Sequence, residues 1–244
     1  MQVKTIEALR AFLAKPELGD EVRLRVPLGH TMADLYLKGG LERGVLHEVF
    51  SVIGHEAAAT GFAAGLAMRV SEAKHVLWIA QDFCATEFGA LSATGLLELG
   101  FDPSRLLMLC VANADDGLRA AGDALTCRAL GAVVIEVPGH PKILDMTTSR
   151  RLTLACAQNN VTAFLLRFAA KPSFSTAETR WLVRGAVSKT QENWGQPIFQ
   201  ASLLRNRHGQ TGEWMMEWCG DERIFKAAHE AKADYRPLVS ASVD

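Results

Sequence analysis

The sequence predicts an α/β fold, a mainly parallel β-sheet flanked by helices and finished by antiparallel strands. Two observations carry that expectation. Short apolar runs without polar alternation recur at His75–Ala80, Leu106–Val111, Ala132–Val137 and Val161–Phe168, with segments of helical periodicity between them. Strands that are apolar on both sides belong in a parallel sheet covered on both faces. After Gly185 the pattern changes. Ile198–Leu204 and Glu213–Trp218 flank a turn at His208-Gly209-Gln210, and Trp214, Met216 and Trp218 alternate onto one face, as in antiparallel strands.

Taken in order, Lys4–Ala14 spaces Ile6, Leu9, Phe12 and Leu13 as a helix would, until Lys15-Pro16 stops it. Leu24–Leu28 is a short extended piece, and the Gly39-Gly40 turn leads into the β-rich run Val45–Phe50. A loop around Gly54 opens a helix with Phe62, Leu66 and Val70 on one stripe. Glu87–Leu99 is expected as a helix capped by Gly100, and Asp102-Pro103-Ser104 as a turn. Asp115–Leu130 is expected as a helix whose acidic start suits the positive end of its dipole. Asp145 or Thr147 would cap a further helix, Thr148–Gln158, which Asn159-Asn160 ends. The expected organisation is an N-terminal helical segment over 1–24, a core domain over 25–219 and a charged tail over 220–244.

At 244 residues, 49% hydrophobic and 22% charged, the chain suits one substantial globular domain. The apolar stretch Ala57–Met68 is too short to span a bilayer, and Lys4, Glu7 and Arg10 interrupt any signal-like run at the N-terminus, so a cytoplasmic protein is expected. Five scattered cysteines fit reduced core thiols, and no Cys/His spacing suggests zinc. The net charge of −1 is unevenly spread: His75–Asp145 holds nine acidic and four basic residues, whereas Arg150–His208 holds nine Lys/Arg against Glu178 and Glu192. The basic half is a candidate surface for phosphate or for an acidic partner.

Several ordered stretches carry a family resemblance. Gly39-Gly40-Leu41-Glu42-Arg43-Gly44, running into Val45–Phe50, resembles the segment that enters the core strand of the RecA superfamily. The likeness continues through His75–Ala80, Leu99-Gly100-Phe101-Asp102-Pro103-Ser104-Arg105-Leu106-Leu107 and Gly131–Glu136, the last in the Walker B place. Thr147–Leu152, Ala177–Trp181 and Gly212–Trp218 are similar to the ImuA family, RecA-like accessory proteins of bacterial inducible (SOS) mutagenesis operons. The resemblance implies a RecA-like fold and a part in damage-induced translesion synthesis. It also implies three partners: an ImuB-like Y-family polymerase relative, an error-prone replicative-type DNA polymerase, and RecA itself.

The phosphate-loop stretch, Ser51–Thr60, holds no Gly-Lys-Ser/Thr, and Glu56 puts an anion where a triphosphate would sit. The basic residues nearest to it, Arg43 and Arg69, lie outside the loop. The place that orients the attacking water in RecA-like ATPases is held by Gln81 or by Asp82, depending on alignment. Glu136 is a carboxylate that would pack or hydrogen-bond at the sheet's edge, and Leu165–Phe168 lacks the amide that senses a γ-phosphate. No catalytic residue, cofactor or metal site is therefore expected, and the reading is a non-catalytic accessory protein. A weak nucleotide-dependent DNA-binding ATPase using Glu136 and Asp82 is the alternative. His55 reads as a local helix cap and Cys84 as a thiol without an orienting partner, while Trp181 and Trp194 stand near loops as candidate partner contacts. Lys171–Ser175 lies where RecA carries a longer DNA-binding loop. Arg150, Arg151, Arg180, Arg184, Arg205 and Arg207 are the candidate DNA or partner contacts, giving weak, salt-sensitive DNA binding. Partner docking would use the tail, with Ile224, Phe225 and Ala228 on one face of a helix over 221–233, or else the N-terminal helix.

Overall fold

The computed structural model describes residues 24–188 and 195–228. The expected N-terminal helix, Trp194 and the end of the tail lie outside the described residues. The strands are β1 (Arg25–Val26), β2 (Leu41–Glu42), β3 (Leu46–Ser51), β4 (His75–Gln81), β5 (Leu106–Val111), β6 (Leu130–Glu136), β7 (Thr162–Arg167), β8 (Thr179–Ala186), β9 (Ile198–Asn206), β10 (Gly212–Cys219) and β11 (Ile224–Ala227). The helices are α1 (Thr31–Tyr36), α2 (Glu56–Ser71), α3 (Asp82–Glu87), α4 (Ala93–Glu98), α5 (Ala114–Ala124) and α6 (Met146–Asn159).

Nine strands form one sheet in the order β11-β10-β9-β8-β3-β7-β6-β4-β5. Neighbours from β8 to β5 run parallel, and β8-β9-β10-β11 are antiparallel. This is the predicted α/β class, in keeping with a RecA-like description. β3, first of the nine in sequence, is fully buried and sits mid-sheet between β7 and β8. Helix α2 lies across one face, and α5 and α6 cover the parallel strands on the other.

The α2 face is held by an unequal match of side-chain sizes. The helix presents Ala59, Ala63, Gly65 and Ala67 among its buried residues, and the strands answer with Trp181, Phe199, Trp218 and Phe225. At Gly65 a Cβ would stand 2.7 Å from Phe225 Cζ, so only glycine admits this approach. The opposite core joins Leu118 and Ala121 of α5 and Leu152 and Cys156 of α6 to Ile79, Val133 and Leu165. Each buried leucine, isoleucine or valine here contributes about 1.5–3 kcal/mol.

The Gly39-Gly40 turn feeds the core as expected, both glycines having positive φ. A Cβ on Gly40 would lie 2.2 Å from Val26 O, because β2 returns to pair with β1.

Four expectations change. The helix expected over Glu87–Leu99 shrinks to α4: Glu87 instead ends the earlier helix α3, the chain turns at Gly89 (φ +92°), and Ser92 starts α4, its Oγ accepting the Gly95 N–H at 3.2 Å. The helix expected to reach Leu130 stops at Ala124. β8 is a strand that the apolar runs did not announce. Finally, the core does not end at Cys219: Ile224–Ala227 pairs with β10 as an edge strand, not a helix, and Phe225 is fully buried.

Candidate functional site at the carboxyl edge of the sheet

In open parallel sheets, ligands bind beyond the carboxyl ends of the strands, where loops and helix starts converge. Here that edge is built by Ser51, Gln81, Glu136 and Arg167 at the ends of β3, β4, β6 and β7, with the start of α2 above them.

The turn that would cradle phosphate is occupied by the protein's own groups. Glu56 Oε1 accepts the Gly54 N–H at 3.2 Å, which sets a carboxylate against the loop. Ala57 and Ala58 follow, so neither a lysine nor a hydroxyl stands at the helix start. Arg43 is engaged by Glu72 at 2.7 Å, and Arg69 donates to the carbonyl oxygens of Pro27 and Arg223. His55 occupies the cap position but makes no cap hydrogen bond; its Nδ1 accepts the Gly185 N–H at 3.2 Å and ties the loop to β8. The expectation of a local cap is corrected accordingly.

Glu136, the last residue of β6, is nearly buried. Its Oε1 accepts the Trp78 indole N–H at 2.7 Å, and Gln81 donates to its backbone oxygen at 3.2 Å. Burial pushes its carboxyl above the ordinary range, against the hydrogen bonds from Trp78 and Cys84. The same burial, with Glu136 beside it, pushes the Cys84 thiol up to about 12, so no thiolate forms there. Gln81 is thus the buried strand-end residue, while Asp82 begins α3 in solvent.

Beside them lies a charge cluster that sequence reasoning missed. Glu48 is buried on β3 and takes Arg180 Nε at 2.8 Å and Ser175 Oγ at 2.9 Å. Arg167, also buried, donates to Val137 O at 2.9 Å and Gly139 O at 2.8 Å, holding the loop after β6. Both guanidinium groups approach the Phe50 ring, at 5.4 and 5.8 Å from its centroid. The signal available was a charged residue, Glu48 or Arg167, inside an otherwise apolar strand.

The six arginines singled out divide into two kinds. Arg180 and Arg205 face each other across β8 and β9, and both are tied to the 173–176 segment, Arg205 Nη1 donating to Ser175 O at 2.7 Å. Arg150 and Arg151 are exposed on α6, Arg207 is exposed at the end of β9, and Arg184 is exposed while donating to Gln200 Oε1 at 2.6 Å. Phe174, in the short loop compared with the RecA DNA-binding loop, is 92% exposed. Trp181 is fully buried, its N–H on Thr179 Oγ1 at 3.1 Å, which removes it as a partner contact. Among the described residues no helix is long and apolar enough to cross a membrane, and no cluster of His, Cys, Asp or Glu could hold a metal ion.

No family model matches the chain. Its sequence is similar to Protein ImuA of Caulobacter vibrioides, from strains NA1000 and ATCC 19089, at 30% identity over 198 residues, covering 73% of this chain and 77% of the relative. The chain belongs to the ImuA family. In this ImuA-family chain Glu56 folds back onto Gly54 in the loop after β3, and the strand-end carboxylate, Glu136, accepts a tryptophan N–H.

Proposed function

We propose that this ImuA-family chain is a non-hydrolysing accessory protein of damage-induced mutagenesis and translesion DNA synthesis. It works through contacts with an ImuB-like polymerase relative, an error-prone replicative-type polymerase and RecA. The observation that carries the non-catalytic part is the loop after β3: Glu56 folded onto Gly54, with no cation in the loop to meet a triphosphate. Two like charges at about 4 Å repel by about 1 kcal/mol even in water, and by more at a partly enclosed site. The alternative, weak hydrolysis through Glu136 and Asp82, draws no support from the geometry, since Glu136 is held by Trp78 and Asp82 is exposed.

The test is ATP turnover by the full chain, with and without single-stranded DNA. Background rates are expected in both. Turnover that DNA stimulates and Glu136→Gln abolishes would overturn the non-catalytic reading. Capture of the ImuB-like protein from damage-treated cells tests the partner half.

A further inference from the structure

Next to Glu136 a hollow of about 290 Å³ opens between the first turns of α2 and the α3–α4 segment. Its walls are small residues, Ala57, Gly61 and Ala64 on α2, and the rings of Phe88 and Phe168, whose centroids lie 4.9 Å apart. A second hollow of about 330 Å³ shares Ala57, Gly61 and Leu99 and continues toward β8 and β9. Among the described residues lining the two, Glu136 is the sole ionisable side chain. The other polar groups of the first hollow already have local roles: Thr60 donates its hydroxyl to Glu56 O at 3.0 Å, and Ser92 caps α4.

We propose that this hollow binds a small apolar ring compound carrying a protonated amine, with Glu136 as its counter-ion and Phe88 and Phe168 as its ring contacts. The size is near the lower end for small-molecule pockets, and one placed polar group in an apolar wall is their usual composition. A carboxyl group has room for about four hydrogen bonds, and donors from Trp78 and Cys84 leave capacity for another. With no arginine or lysine among the described lining residues, an anion meets only the Glu136 carboxylate there, whereas an ammonium pairs with it away from bulk water and favours its charged form. The inference is independent of the proposed partners and goes beyond them.

The probes are 2-naphthylmethylamine, 2-naphthylmethanol and 2-naphthoate, titrated against the full chain by calorimetry. The amine should bind saturably, the alcohol about tenfold more weakly and the acid not measurably, since a hydrogen bond to a charged group is worth about that factor. Glu136→Gln should bring the amine down to the level of the alcohol. Ala57→Leu, at an exposed lip position shared by both hollows, should abolish binding of each without entering the core. If Glu136→Gln does not fold, the ligand series and Ala57→Leu decide the matter alone. Equal binding of acid and amine, undiminished binding of the amine by a folded Glu136→Gln, or no saturation by any probe overturns the proposal.

Discussion

Between β2, β3 and β8, a row of hydrogen bonds fixes the protonation of one buried imidazole. Trp181 donates to Thr179 Oγ1, which stands 2.7 Å from His47 Nδ1, and His47 Nε2 stands 2.9 Å from Glu42 O. The carbonyl can only accept, so Nε2 carries the proton and Nδ1 takes the threonine hydroxyl. Burial drives the His47 pKa from 6.5 to about 4, against the carbonyl's pull and with a small push from Arg25. The folded state therefore refuses a proton that the unfolded chain accepts. The stability from this group is complete above pH 6.5 and is lost as pH falls toward 4, by about 3 kcal/mol in all. In His47→Gln the acid limb of unfolding free energy against pH should flatten over that window, whatever the variant's stability at neutral pH. An unchanged slope would show that other groups set the limb. None of this was legible from the sequence, where His47 is one residue in a β-rich run. Its neutrality comes from burial and its tautomer from Thr179 and Glu42, and the strands that bury it, with Thr179 among them, lie far along the chain. For the same reason the lack of Gly-Lys-Ser/Thr in Ser51–Thr60 was legible in one local stretch, whereas the Trp78–Glu136 bond, joining two strands, was not.

Among the elements, β11 departs furthest from expectation. Its sequence, Ile224-Phe225-Lys226-Ala227, stands among charges and offers too short a pattern to read. The structure explains it by packing: Phe225 meets Phe62 at 5.0 Å and Trp218 at 4.7 Å, and its N–H bonds Leu28 O. β8 was hidden by a related effect, since Arg180 and Arg184 interrupt it and Arg180 is neutralised by Glu48 from the neighbouring strand. Among the strands that did show, β4, β6 and β7 owe it to burial that leaves little room for polar residues, whereas β5 is an apolar run left largely exposed at the edge of the sheet. Phe225→Ala should cost about 3–5 kcal/mol, as core aromatic truncations do. A chain ending at Gly220 should unfold at a markedly lower temperature than one ending at Ala228. Equal melting of the two would mean that β11 adds nothing to the core. A role for the tail in capturing partners is therefore to be sought beyond Ala228.

Over the whole molecule, the uneven charge of the sequence resolves into separate fates. Arg180 holds a buried carboxylate, so Arg180→Ala should destabilise the protein by about 3 kcal/mol by leaving Glu48 uncompensated. Alanine at Arg150, Arg151, Arg184 and Arg207 together should leave the melting temperature nearly unchanged, since those side chains are exposed. If the basic half contacts DNA, the same four changes should remove binding that is already weak and falls steeply with salt. Nanomolar binding that ignores salt would require contacts of another kind. The sheet order has one more consequence, for how the chain is made. β3 leaves the ribosome first among the nine strands, yet both its neighbours come late: Gly44 and Thr162, bonded to each other in the core, are 118 residues apart. At cellular rates of synthesis that gap lasts on the order of ten seconds. Throughout it a strand that ends fully buried, and the helix that will cover it, wait without the strands they pack against, so the nascent chain carries unpaired edges and exposed apolar surface until its central strand can close.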